Sequence, residues 1–212
     1  MAEELLVGLE GVQWPERVKQ MQTNWIGKSE GVELDFGQVR VFTTRPETVW
    51  GAKYVAVAPD NEVLEPLGLS EKVKREVLGM NKVTRQHKNE VVGVDTGITV
   101  RNPVTGEDIP LFVASYVVSD YGTGAVMGVP AHDTRDMEFC RKYLPQVKVE
   151  PVLVPVEGKV KLPYTDKEGV MTALAGEYAA QSSHDVVAKL VAKAMKEGYG
   201  RPKRQVSLLC WS

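Results

Sequence analysis

The sequence predicts an α+β fold, with a mixed sheet or distorted β-barrel at the centre and helices at the periphery. Three observations carry this. Short β-branched runs punctuated by Gly93, Gly97 and "NPVTGED" crowd residues 88–118. Helical periodicity is confined to segments that flank or separate such runs. The order of the two kinds lacks the regular alternation of a doubly wound sheet.

The elements follow in order. "WPERVKQMQTNWIG" puts Trp14, Val18, Met21 and Trp25 at helical spacing, with Pro15 suited to a first turn. "VELDFGQVRVFTT" reads as a hairpin about Gly37-Gln38, and "KYVAVAP" as a buried strand. The segment 69–80 is a short helix with Ser70 as N-cap and Gly79 as its stop. After the strand-rich centre, "DYGTG" is a tight turn, "AVMGVP" a strand, and "AHDTRDMEFCRKY" opens a helix. Residues 147–180 are irregular, and "SSHDVVAKLVAKAMKEG" is an amphipathic helix ending at Gly198. No internal repeat or low-complexity segment is present.

Composition narrows the function classes. The 212 residues suit one large domain or one domain with appendages, and 43% hydrophobic with 25% charged residues is ordinary for a globular chain. A formal net charge of −2 gives no global basic field, so contact with RNA must rest on local patches. Two cysteines, Cys140 and Cys210, encode neither a zinc knuckle nor a disulfide framework, and His87, His132 and His184 lie too far apart in sequence to read as a metal cluster. No cofactor or metal is expected. The acidic "MAEELLVGLEG" lacks signal-peptide character, and no apolar run approaches the roughly 20 residues of a membrane span. A reducing compartment is expected: the cytoplasm, or an organelle.

Two stretches carry chemistry. In "VFTTRPETVWG" (41–51) a strand fills with hydroxyls and meets Pro46, which cannot donate a ladder bond, so Thr44, Arg45, Glu47 and Thr48 fall on a turn. Threonines in a strand are ordinarily strand formers, but broken strand ends with clustered polar groups are also where sites sit. In "DYGTGAVMGVPAHDTRDMEF" (120–139) the glycines permit close backbone approach, and Asp133 and Asp136 share one side of a helix's first turn. Asp133 suits an N-cap and Asp136 a capping-box acid; equally, one can cap while the other faces a ligand. His132 alone reads as a structural hydrogen-bonder.

Together, "TTRPET" and "YGTGAVMGVPAHDTRD" resemble the editing domain of leucyl-tRNA synthetases, the connective polypeptide 1 insertion, of the bacterial or organellar kind. "NWIGKSEGVELDF", "TGITVRNPVTGEDIPLFVASYVV" and "DKEGVMTALAGEY" extend the likeness in order over roughly residues 12–198. Valyl enzymes share "TTRPET" but typically read "GTGCVKITPAHDFND" at the second motif. The resemblance implies an entry helix or linker at 1–27, an editing domain at 28–198 and an exit tail at 199–212. The closing "YGRPKRQVSLLCWS" departs from the family's "RLRDW"-like exit, and the synthetic "HIGH" and "KMSKS" type motifs do not occur, so an isolated domain or a fragment, without aminoacylation, is expected.

The implied reaction is hydrolysis of the ester between a wrong amino acid (isoleucine, norvaline and similar) and the 3′ end of tRNA(Leu), sparing leucine. By resemblance Asp136 binds the α-ammonium, Thr48 blocks leucine, and Met127 and Val129 wall the amino-acid pocket. Thr43 and Thr44 act near the ester, Arg45 holds the tRNA 3′ end, and Tyr121 with Gly122–Gly124 receives the adenosine. His132 and Asp133 lie near the site, Asp133 as support first. The expected partners are the CCA end of mischarged tRNA(Leu) and the rest of a synthetase, with no membrane and a monomeric state. The alternatives are a non-catalytic tRNA 3′-end binding module and a valyl-type editing domain. Arg201, Lys203 and Arg204 read as phosphate contacts or as a solvated tail.

Overall fold

The computed structural model describes residues 28–86 and 91–206 and the single positions 12 and 15. The helix expected over 14–27, His87 and Cys210 lie outside the described residues. Strands β1 (Lys28–Phe36) and β2 (Val39–Thr43) form the expected hairpin about Gly37, with Phe36 opposite Val39 and Val32 opposite Thr43. Proline then does what its missing N–H dictates: β2 ends at Thr43, and Pro46 opens a 3-10 turn, Pro46–Gly51. Next come β3 (Tyr54–Val57), helix α1 (Glu71–Gln86), β4 (Gly93–Arg101), β5 (Asp108–Ala114) and β6 (Ala125–Gly128). Helix α2 (Thr134–Tyr143), the two-residue strands β7 (Leu153–Val154) and β8 (Val170–Met171), helix α3 (Ser183–Glu197) and β9 (Gly200–Val206) complete the chain.

The strands make three sheets: β2-β1-β9, β4-β5-β3-β6 and β7-β8. The four-stranded sheet is mixed, because β3 runs parallel to β5 and antiparallel to β6. The two larger sheets face one core, in which Leu34, Phe36 and Val41 meet Val55, Val57, Leu111 and Met127. This is the mixed-sheet form of the expected α+β architecture, built as separate facing sheets with helices outside. A second cluster on the other face of β3 holds Tyr54, Phe112, Phe139 and Cys140, and seats α2.

One boundary differs from expectation. Helix α1 passes Gly79 and continues to Gln86. A mid-helix glycine costs only about 1 kcal/mol, and Val77 and Met80, packed on Val94 and Val113, hold the helix across it. Within the expected exit tail, residues 200–206 form a strand: β9 pairs antiparallel with β1 from Gly200↔Leu34 to Val206↔Lys28. Its basic residues are exposed, and each is paired with an acid of β1. Arg201 bonds the buried Glu33 at 2.6 Å, Lys203 lies 3.4 Å from the same carboxylate, and Arg204 reaches Glu30 at 3.2 Å. A glutamate inside a sheet needs such partners, and the polar sequence of β9 supplies them.

Candidate functional site

One cavity of about 380 Å³ opens between the end of β2 and the β6–α2 connection. Thr43, Thr44, Arg45, Thr48, Tyr121, Met127, Val129, His132, Asp133 and Asp136 all line it, so these ten candidate residues from two separate motifs meet at one place. Phe42, Tyr116, Val117, Val118, Val126 and Arg135 complete the lining.

The first wall is the broken strand. Thr43 Oγ1 accepts from the Arg45 N–H at 3.0 Å, a hydroxyl turn that reverses the chain before Pro46. Thr48 is buried, and its Oγ1 donates to the Arg45 carbonyl at 2.9 Å, which adds a bond to its β-branched stiffness and fixes its shape in the wall. Thr44 is exposed at the rim. Arg45 does not project freely from the mouth. Its Nε meets buried Glu47 at 3.1 Å, its Nη1 donates to the carbonyls of His132 and Thr165 at 3.3 and 3.1 Å, and its Nη2 donates to that of Asp166 at 2.7 Å. Four of its five donors are thus spent on the protein. Burial pushes the Glu47 carboxyl up, against the pull of Arg45.

The second wall is the β6–α2 connection. Asp133 caps α2, its Oδ1 accepting from the N–H groups of Arg135 at 2.8 Å and Asp136 at 3.1 Å. Asp136 is not a capping-box acid. It is buried, and it reaches back so that Oδ2 accepts from the Val129 N–H at 2.8 Å. Its Oδ1 accepts from the hydroxyls of Tyr54 at 3.0 Å and Tyr116 at 3.1 Å. Burial, then the nearby Asp133 charge, pushes its carboxyl up to about 6, against the pull of these three donors. Burial thus makes it harder to ionise than a free aspartate, while three donors hold the ionised form.

His132 is placed as a structural group. Its Nδ1 donates to the Tyr164 carbonyl at 2.9 Å, while Nε2 accepts from the N–H groups of Val152 at 2.9 Å and Leu153 at 3.3 Å. Both nitrogens are engaged, and burial depresses its pKa to about 4. It can contribute shape to the lining but has no free nitrogen for a substrate or a proton. Tyr121 stands edge-on to Phe42, centroids 5.5 Å apart, at the rim. Next to it Gly122 has φ +65°, and a Cβ there would lie 2.5 Å from that of Phe42, so the turn accepts only glycine.

Sequence reasoning missed Tyr54 and Tyr116. The signal was a tyrosine in the otherwise apolar "KYVAVAP": a buried phenol needs a partner for its hydroxyl. Gly128, opposite Tyr54 in the β3–β6 ladder, is its counterpart, because a Cβ there would sit 2.1 Å from the Tyr54 ring. Among the described residues no cluster of His, Cys, Asp and Glu could hold a metal ion, and no helix is long and apolar enough to cross a membrane.

The comparisons with known proteins agree with one another. Residues 23–195 match the family described as leucyl-tRNA synthetase, editing domain. The leucine–tRNA ligase of Synechococcus elongatus is 41% identical across 99% of this chain, and that of Borreliella burgdorferi is 38% identical across the same share. Each match covers 26% of the relative, so the chain spans about a quarter of the length of these curated enzymes. In a solved ternary complex of an Agrobacterium radiobacter K84 LeuRS with tRNA and LeuAMS, 24% of that chain superposes on all of this one, with TM-score 0.71 and 30% identity. The crystal structure of GlLeuRS-CP1 matches 82% of this chain, and 97% of its own, at TM-score 0.51 and 17% identity, a likeness of fold alone. The chain belongs to the editing-domain family of the leucyl-tRNA synthetases.

Proposed function

We propose that the cavity hydrolyses the ester joining a non-cognate amino acid to the 3′ end of tRNA(Leu) and spares the leucyl ester. The observation that carries this is the placement of a buried carboxylate, Asp136, held by three hydrogen-bond donors, in a small cavity whose other side is lined by threonines. Each carboxylate oxygen has two acceptor sites. Two hydroxyls occupy Oδ1 and one N–H occupies Oδ2, which leaves one site on Oδ2 for an α-ammonium. A charge-assisted bond there orients the ester without consuming the carboxylate as a base.

Met127 and Val129 form the apolar contact for the side chain, and Thr48, rigid and buried, is the obstacle that leucine meets. Such an obstacle is needed because pockets separate side chains differing by one methylene by only about 1–3 kcal/mol, a figure established on aminoacyl-tRNA synthetases themselves. Thr43 and Thr44 stand on the ester side, where hydroxyls place water or stabilise a developing oxyanion. Tyr121 and the Gly122–Gly124 turn offer a stacking surface for the terminal adenosine. Asp133 supports α2, and His132 and Arg45 hold the walls. The capped, clamped geometry of Arg45 favours an indirect role at the tRNA end: it fixes the 164–166 segment beside the mouth. Since His132 has no free nitrogen, we assign the attack to water, assisted by a hydroxyl of the terminal ribose. The partners are the CCA end of mischarged tRNA(Leu) and the remainder of a synthetase; aminoacylation itself belongs to that remainder.

The test is deacylation of preformed Ile-tRNA(Leu), norvalyl-tRNA(Leu) and Leu-tRNA(Leu) by the chain. Hydrolysis of the first two with survival of the third is expected. Tight binding of all three without turnover identifies a 3′-end binding module instead, and hydrolysis confined to a mischarged tRNA(Val) identifies a valyl-type domain. Repeating the assay on an aminoacylated acceptor-stem mimic shows how much of the tRNA the domain needs.

A further inference from the structure

The hydroxyls of Tyr54 and Tyr116, counted above only as occupants of Oδ1, converge on Asp136 from separate parts of the fold. Tyr54 stands on β3, and its ring stacks on Phe139 at 4.7 Å and 22°. It is held there by the absence of a Cβ on Gly128. Tyr116 comes from the loop after β5, meets the same Phe139 edge-on at 5.7 Å, and carries the Arg135 guanidinium over its ring at 5.6 Å. The two hydroxyls lie 2.9 Å apart, and each lies within 3.1 Å of Asp136 Oδ1. Neither ring can turn without breaking aromatic packing.

We infer that Tyr54 and Tyr116 are positioning residues, which together saturate Oδ1 of Asp136 so that the carboxylate keeps one orientation and offers Oδ2 to the ligand's ammonium. The identity of that ligand rests on the editing reading; the geometry does not. Both hydroxyl protons can point at Oδ1, and donation to the carboxylate favours its ionised form. Among the described residues the other titratable groups facing Asp136 are Asp133 and Cys140, both from its own helix segment; Arg135 reaches the Tyr116 ring and Arg45 is turned to the carbonyls of Thr165 and Asp166.

The experiment uses Tyr54→Phe and Tyr116→Phe, which keep both rings and remove one hydroxyl each. The Asp136 carboxyl is titrated by carbon NMR, its signal assigned with Asp136→Asn, and deacylation is followed over the same pH range. Loss of one donor to the ionised form should raise the carboxyl midpoint by about one pH unit. The acid limb of the deacylation profile should follow it, with KM rising and kcat changing little. A midpoint that stays where it is in Tyr116→Phe overturns the inference, and so does a loss confined to kcat. If Tyr54→Phe fails to fold, Tyr116→Phe decides, because its ring is only half-buried. A parent chain that hydrolyses no mischarged tRNA removes the editing reading, and the carboxyl titration still decides the positioning role.

Discussion

On the wall made by residues 43–48, five of six side chains are polar or charged apart from Pro46, and the main ones are spent on the chain itself. Thr43 holds the turn, Thr48 bonds back to Arg45, and Arg45 ties Glu47 to three carbonyls. On the facing wall, from β6 into α2, most positions are apolar or capping, and a single buried carboxylate is left with acceptor capacity toward the cavity. The wall richest in polar residues supplies shape, and the poorer one supplies charge. Density of functional groups in a sequence is therefore a poor guide to which group meets the ligand; what counts is which of them the backbone has not already claimed.

Substitutions can break this division. Asp136→Ala removes the charge and should lower hydrolysis of Ile-tRNA(Leu) by about 10³-fold, the loss expected for a desolvated charged contact of about 4 kcal/mol. Its far-UV circular dichroism should be unchanged. Full activity in that variant would mean the charge sits elsewhere. Arg45→Ala should act through stability, by about 3 kcal/mol in urea unfolding, because it strips Glu47 of its partner and orphans three carbonyls. A variant of normal stability that only loses tRNA affinity would move Arg45 to the RNA side.

The pH dependence sharpens the comparison further. His132 has a folded pKa of about 4 against an ordinary 6.5, so the unfolded chain binds more protons between those values and stability falls as pH drops through that window. Asp136 has a folded pKa of about 6 against 3.8, so the folded chain binds more protons there and stability rises as pH drops. The two oppose each other. His132→Gln should make the protein gain about 2 kcal/mol on going from neutral pH to the acid end of the window, and Asp136→Asn should make it lose a similar amount. Equal slopes in both variants would refute the assignment. The smallest effect is at the gate: Thr48→Ala opens space of about one methyl and should admit Leu-tRNA(Leu) to hydrolysis about tenfold faster. If leucine stays protected, the obstacle lies on the Met127–Val129 side.

What the sequence made legible follows from range. The hairpin at Gly37, the break at Pro46, the Asp133 cap and the end of α3 at Gly198 depend on neighbours a few residues away, and all were readable. The cavity was legible because two motifs resembled one family, not because 43–48 and 127–136 reveal their proximity. The rest was decided at a distance. The run of α1 past Gly79 depends on Met80 meeting β4 and β5. The strand at 200–206 finds its partner in β1, 168 residues earlier in the chain, where Glu33 meets Arg201. Asp136 looked like a capping acid because nothing local announces Tyr54, more than 80 residues earlier in the chain.

The β1–β9 pairing also has a mechanical side. Lys28 and Val206 are partners at one end of that ladder, so a pull applied at those two points peels the ladder rung by rung and never loads it in shear. Opposite Val32 the rung is weak, since Pro202 has no N–H to give, whereas Glu33 with Arg201 and Lys203 lies one step further in and acts as a catch. Val32 also faces Thr43 across the β1–β2 ladder, so this weak rung lies one strand away from the cavity wall.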